Sequence, residues 1–209
     1  MKRVTRHIGL ILIVVGVLLA ALPLYRWATS VYYQRLAMNA FEESIPENPA
    51  PSDLKTPVEI EAEPAKEELP TALGLLEIDK IDLKAAVIHG ITEDDLKKGP
   101  GFYPQSKHPE IGNVSIAAHR GVYGSWFRHL DRLKPGDKIF LTLGTNRYQY
   151  KVREQFVTHS RDWSVIDSME IAELTLTTCL YTTTSKRLIL KADLVDVINT
   201  PVVHPKTIE

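Results

Sequence analysis

A single cysteine, Cys179, closes an alternating run in the stretch LTLTTCLYTTTSKRLIL, Leu174 to Leu190, and a basic residue, Arg187, opens the run that follows. Leu174 and Leu176 alternate with Thr175 and Thr177, the period-2 signature of a half-buried strand. The alternation stops near Cys179, TTTSK reads as a polar loop, and a second strand starts at Arg187. If the two strands are neighbours, Cys179 and Arg187 meet at one end of a sheet, which places a nucleophile beside a charge that can steady it. An unperturbed thiol ionises near pH 8.5, so only about 3% is thiolate at pH 7. A catalytic cysteine therefore needs a histidine, a cation or a helix N-terminus.

Seven histidines are available: His7, His89, His108, His119, His129, His159 and His204. Spacing alone does not choose among those in the same domain, because such partners meet in space rather than in sequence. His119 has the most suggestive setting: it ends the apolar run VSIAAH and precedes Arg120-Gly121, so a rigid strand would project it into an end cleft. His129 falls in SWFRHLDRL, which reads as a helix and suggests a surface or packing role. Bland readings stand beside these. Cys179 can be an inert core thiol, Arg187 a solvated strand end, and Thr178 either a pocket residue or simply a β-branched strand residue. No paired ligand spacing supports a zinc site on His119 and Cys179.

The elements that must position these residues are mostly strands. TALGLLEI, KAAVIHG, NVSIAAH, KIFLTL, RYQYKVREQFVTH, ELTLTTC and RLILKADLVDV all carry strand patterning, with turn chemistry in KPGDK and LGTNR. TEDDLKKG, with Thr92 as N-cap, and SWFRHLDRL are the helical candidates. Many short strands with few helices point to a closed or nearly closed β-barrel. This domain occupies residues 71–209.

The chain has 209 residues and a formal net charge of −1, which argues against a nucleic-acid binder. Residues 1–7 carry Lys2, Arg3 and Arg6, and IGLILIVVGVLLAALPLY then runs from Ile8 to Tyr25 without a charge. As a helix that run rises roughly 27 Å, near the bilayer core of about 30 Å. Pro23 follows the small residues Ala20 and Ala21 too closely for a cleavage site, so an uncleaved anchor over residues 8–25 is expected. The basic tail then stays in the cytoplasm and the domain lies outside the cell. Residues 26–70 read as a juxtamembrane segment, with a short helix over Trp27 to Met38, and a Glu/Pro-rich linker too polar to fold. An exported chain with one cysteine has no intrachain disulfide.

TLTTC (Thr175 to Cys179), with Arg187 opening the next strand, resembles the TLxTC…R signature of the sortases, the cysteine transpeptidases of Gram-positive surfaces. AAHRG around His119 resembles their histidine motif, and WFRHLDRLKPGDKI resembles the F-x-x-L-x-x-L-x-x-G-D segment that follows it. The order of anchor, linker, histidine, cysteine and arginine is also similar. The resemblance implies a sortase-type β-barrel with one or two short helices, preceded by a transmembrane helix. It implies that Cys179 attacks the threonine carbonyl of an LPxT-type sorting signal to form a thioacyl-enzyme. His119 would protonate the leaving amine and later activate the incoming one, and Arg187 would hold the peptide and its oxyanion. Thr178 is a further candidate for substrate binding.

The partners implied are proteins bearing LPxTG or LPxTA signals, a peptidoglycan precursor or other cell-wall amine, and the membrane. No cofactor or metal is expected, and calcium dependence is not predicted. No aromatic Asp-Pro lid motif or second membrane segment of the pilin-polymerising members is visible. Leu180-Tyr181 stands where family members place a proline, and TTTSK is short, which leans towards class D rather than class A. SRDWSVIDSMEIAE would line the signal groove. ELPTA, Glu68 to Ala72, lacks the residue between Pro and Thr that an LPxT signal needs and is read as linker. The alternatives are a pilin-polymerising enzyme with a lysine acceptor and a catalytically silent LPxT-binding barrel. An L,D-transpeptidase is disfavoured because no SHGC-like motif is present.

Overall fold

The computed structural model describes residues 2–45, 72–167 and 171–199. Most of the Glu/Pro-rich linker, including Glu68 to Thr71 of ELPTA, lies outside them. Eight strands form a closed barrel: β1 (Ala72–Ile78), β2 (Leu83–His89), β3 (Gly101–Phe102), β4 (Asn113–Ala117), β5 (Lys138–Leu143), β6 (Asn146–His159), β7 (Glu173–Cys179) and β8 (Lys186–Asn199). Their order around the barrel is β1-β2-β3-β4-β7-β8-β6-β5, and pairing of β1 with β5 closes it. Alternation explains the packing. Leu174 and Leu176 of β7 turn inwards with Ile116, Leu188 and Leu190, all buried in one core with Tyr148 and Tyr150. Each such side chain contributes about 1.5–3 kcal/mol when fully buried.

β3 is the strand that alternation did not reveal, because two residues after Gly-Pro give no period to read. Its pairing depends on glycine. Gly90 follows β2 at φ 90°, and a Cβ on Gly101 would lie 1.9 Å from the Gly90 carbonyl oxygen. The crossover between them carries α2 (Glu93–Lys98), whose N-cap is Thr92 as expected. The Thr92 hydroxyl accepts from the Asp95 N–H (3.2 Å), and the Asp95 carboxylate accepts from the Thr92 N–H (3.0 Å).

SWFRHLDRL does not form the expected α-helix. Only Leu130–Arg132 makes a 3₁₀ turn, preceded by irregular turns. Phe127, Leu130 and Leu133 are all fully buried, and their spacing of three suits the 3₁₀ period. Tyr123 and Ser125, at φ 54° and 49°, keep the chain off a helical path just before them.

The N-terminal helix α1 spans Lys2–Ser44 without a break, Pro23 included. Leu10 to Ala28 are exposed, and over the uncharged run that ends at Tyr25 the helix is long and apolar enough to cross a membrane. Beyond it the helix lies against the barrel. Ser30, Gln34, Ala37 and Phe41 form a buried stripe, with Ala37 and Phe41 packed on Ala86 and Ile88 of β2. β2 meets β3 only through Ile88 and His89, which leaves earlier β2 residues without a strand on that side. Gln34 fills in for one. Its amide nitrogen donates to the Ala86 carbonyl (3.0 Å) and the Lys98 carbonyl (3.3 Å), and its amide oxygen accepts from the Ala86 N–H (2.9 Å). Gln34→Leu should therefore weaken this seam by about 1–3 kcal/mol, because it strands three backbone groups. Amide hydrogen exchange on the full chain tests it: Ala86 should lose protection, whereas Leu176 in the barrel should not.

Candidate active site

The barrel topology sets the candidate residues in one rank. β4 and β7 run parallel in register, with Ala117 opposite Thr177. The ladder continues one bond further, from the Ala118 N–H to the Thr177 carbonyl (3.2 Å), so His119 comes level with Cys179. On the other flank β8 runs antiparallel, and Cys179 pairs with Arg187. The histidine, cysteine and arginine thus stand on three adjacent chains at one rim, spaced by the roughly 4.8 Å of a sheet.

All three line one cleft of about 350 Å³, with Tyr103, Thr177, Asp162, Trp163 and Ile166 among its other walls. Trp163–Ile166 is a 3₁₀ turn between β6 and β7, so part of SRDWSVIDSMEIAE does flank the site. A second cavity, about 550 Å³, lies between α1 and the loop after His119 and does not include Cys179.

Thr178 also borders the cleft, but its side chain alternates away from that of Cys179. It is buried, and its hydroxyl donates to the Ala118 carbonyl (2.7 Å), tying β7 to the residue before His119. Tyr103, Tyr181 and Arg120 support the rank through contacts the sequence did not assign. The Tyr103 hydroxyl is 2.9 Å from the Thr177 hydroxyl. Tyr181, just past Cys179, lies under the Arg120 guanidinium (4.5 Å) and donates to the Arg120 and Arg128 carbonyls (3.4 and 3.3 Å). It therefore links the loop after Cys179 to the loop after His119. Arg120 is itself buried and paired with Asp131 at 2.8 Å. Nothing in the local sequence marks Tyr103 or Tyr181, because their partners are far away along the chain.

Burial pushes the His119 imidazole below its ordinary pKa of 6.5, Glu93 of α2 opposes the shift, and Lys97 adds to it. The folded chain thus favours the neutral ring. This contributes stability fully present above about pH 6.5 and lost as pH falls through the lower folded value. Glu93→Gln should lower the His119 titration further and Lys97→Gln should raise it, each effect damped by solvent because Glu93 is exposed. Proton NMR of the imidazole reads both. Among the described residues no three His, Cys, Asp or Glu side chains gather as a metal site. The chemistry available to this rank is nucleophilic: a thiol, an imidazole to move its proton, and a guanidinium to meet negative charge.

The family model for the sortase domain matches residues 76–195. This chain belongs to the sortase family. Sortases are cysteine transpeptidases, and the rank at the barrel rim sits within the matched span. Sortase D of Bacillus subtilis (strain 168) is 35% identical over 116 residues, covering 54% of this chain and 57% of that protein, so the match spans little more than half of its length. Sortase A of Bacillus anthracis is 27% identical over 201 residues, covering 93% of this chain and 96% of that protein. Among solved structures, a Clostridium perfringens Sortase D5 transpeptidase superposes with a TM-score of 0.57 at 33% identity, over 60% of this chain and 80% of that one. Sortase E1 of Streptomyces coelicolor, solved with a tripeptide in its active site, gives 0.56 at 27% identity, over 60% and 89%. The closed barrel expected from the sequence is the fold that these sortases share.

Proposed function

We propose that this chain is a membrane-anchored sortase that cleaves an LPxT-type sorting signal after its threonine and joins the released acyl group to a cell-envelope amine. The observation that carries the reading is the single rank of His119, Cys179 and Arg187. The greater identity to Sortase D than to Sortase A supports class D. Residues 8–25 cross the membrane once with the basic N-terminus in the cytoplasm, and residues 71–209 form the catalytic domain outside.

The thiolate of Cys179 attacks the threonine carbonyl carbon, and the carbonyl π pair moves onto oxygen beside Arg187. Collapse re-forms the carbonyl and breaks the C–N bond, and the imidazolium of His119 gives its proton to the departing amine. A thioester remains on Cys179. The incoming amine attacks it, neutral His119 takes the excess proton, and thiolate is expelled as the new amide forms. Atoms and charge balance without a cofactor. Thr178 serves as the tie that holds the His119 and Cys179 chains together. The tripeptide in the Streptomyces coelicolor relative supports a peptide substrate in the matching cleft.

The test incubates the full chain in lipid nanodiscs with LPxTG or LPxTA peptides and an amine, followed by mass spectrometry. An acyl adduct on Cys179 followed by a new amide supports the reading and identifies the signal. An alkylatable Cys179 that never acylates with either peptide would overturn it.

A further inference from the structure

His119 is oriented by packing. Among the described residues its ring makes no hydrogen bond, and its Nε2 is buried without a partner. A catalytic imidazole is ordinarily steered by a third group bonded to its other nitrogen. Here the group against it is Tyr123, with ring centroids 5.2 Å apart and planes tilted by 33°. Tyr123 sits at φ 54°, a conformation that costs a side-chain-bearing residue energy, so the surrounding structure must hold it there. On the Tyr123 ring, the Arg26 guanidinium carbon of α1 lies 5.9 Å from the centroid.

α1 reaches the surroundings of His119 by a second route. The Lys98 ammonium at the end of α2 lies over Tyr33 of α1 at 5.7 Å, and the Lys98 carbonyl accepts from Gln34. α2 carries Glu93 and Lys97, the two charges that act on His119. The seat of α1 is closely fitted: a Cβ on Gly99, which follows α2, would lie 1.9 Å from the Gln34 amide nitrogen. A helix fixed at Gln34, Ala37 and Phe41 thus controls both neighbours of the imidazole.

We propose that the part of α1 beyond the membrane is a positioning element of the active site. Seated on β2, it delivers Arg26 to Tyr123 and braces α2, and the barrel reaches full competence only with the helix in place. Arg26 and Tyr123 are positioning residues, and membrane attachment and catalysis are coupled through them. The inference rests on the reading of His119 as the acid and base. The groups that face the ring or share its cleft are Glu93 and Lys97 of α2, Tyr103 after β3, Tyr123, Cys179 of β7, Arg187 of β8, His159 at the end of β6 and Asp162 beyond it.

The full chain in nanodiscs is compared with three variants. Tyr123→Gly removes the ring and tolerates the positive φ. Arg26→Gln removes the cation, with Arg26→Lys as its conservative control. Gly99→Val displaces Gln34 from the far side of the seat, at an extended backbone position that valine adopts without strain. Each of the three should lower kcat about tenfold, with KM for the peptide changed less than twofold, because a bound substrate meets a misplaced imidazole. Each should also raise the His119 titration, followed by NMR without substrate, towards its ordinary value as water reaches the ring. Arg26→Lys should restore most of both.

Unchanged kcat and titration in Arg26→Gln and Gly99→Val would overturn the proposal. A fall in kcat with a fixed titration would overturn it too, since general loss of fold would then be the cause. If the wild type turns over no sorting peptide, the functional reading fails, and the substrate-free titration alone decides the positioning.

Discussion

Replacing Cys179 with alanine should abolish acylation and reduce amide formation to background, a loss of at least about 10⁴-fold. Cys179 is half-buried on the cleft side of β7, and its neighbours Thr177 and Thr178 hold the strand by their own hydrogen bonds. The barrel should therefore keep its stability within about 1 kcal/mol, and a peptide that binds the wild type should still bind. Burst-phase mass spectrometry reads acylation, and fluorescence anisotropy with a labelled peptide reads binding. His119→Asn should cost nearly as much. The double variant should be no worse than Cys179→Ala, because a proton carrier has nothing to do without its nucleophile. Full activity in Cys179→Ala would turn the chain into a peptide-binding barrel, and additive losses would mean that His119 acts in some other step.

The chemistry was legible in the sequence to the extent that local pattern could carry it. The alternation of Leu174 to Thr177 and the short polar loop before Arg187 were enough to place Cys179 and Arg187 at one end of a hairpin. The parallel register of β4 and β7, which levels His119 with Cys179, was not, because it joins residues some 60 apart through no local turn. Residue type suggested His119, and topology brought it to the rank. SWFRHLDRL misled because Phe127, Leu130 and Leu133 fit a helical stripe as well as three anchors sunk in one core. The docking of α1 left no mark for a similar reason. A glutamine between a tyrosine and an arginine in an amphipathic segment looks like surface until an open strand edge is found against it.

Under the proposed positioning role the seam and the rank are linked through α2, and an isolated barrel would be a poor reagent. A chain begun at residue 71 would lack Gln34, Arg26 and Tyr33, and with them the cover of the β2 edge and two supports of the His119 surroundings. On the proposed reading, function in this fold is spread over the β7–β8 hairpin that supplies Cys179 and Arg187, the parallel strand β4 that leads into His119, and a distant helix that sets the histidine.

Arg187→Lys is the more informative second prediction, because it keeps the charge and removes the fork. In the substrate-free chain one guanidinium nitrogen of Arg187 donates to the Thr184 carbonyl (2.8 Å) and the Lys186 carbonyl (3.3 Å), closing the loop after Cys179. The other nitrogens remain available to the cleft, so one planar group can hold the loop and still donate to an oxyanion at Cys179. A lysine presents a compact ammonium on a flexible stem and cannot serve both sites with fixed geometry. Loss of one oxyanion donor costs about 2.7–4 kcal/mol, so acylation in single-turnover experiments should fall about 10²- to 10³-fold. Arg187→Ala should fall at least as far, and alkylation of Cys179 by a small neutral reagent should change little in either. If Arg187→Lys acylates at the wild-type rate, charge alone suffices and the fork has no part in the chemistry. If alkylation falls in step with acylation, Arg187 acts on the thiol itself, and the oxyanion role assigned to it has to be given up.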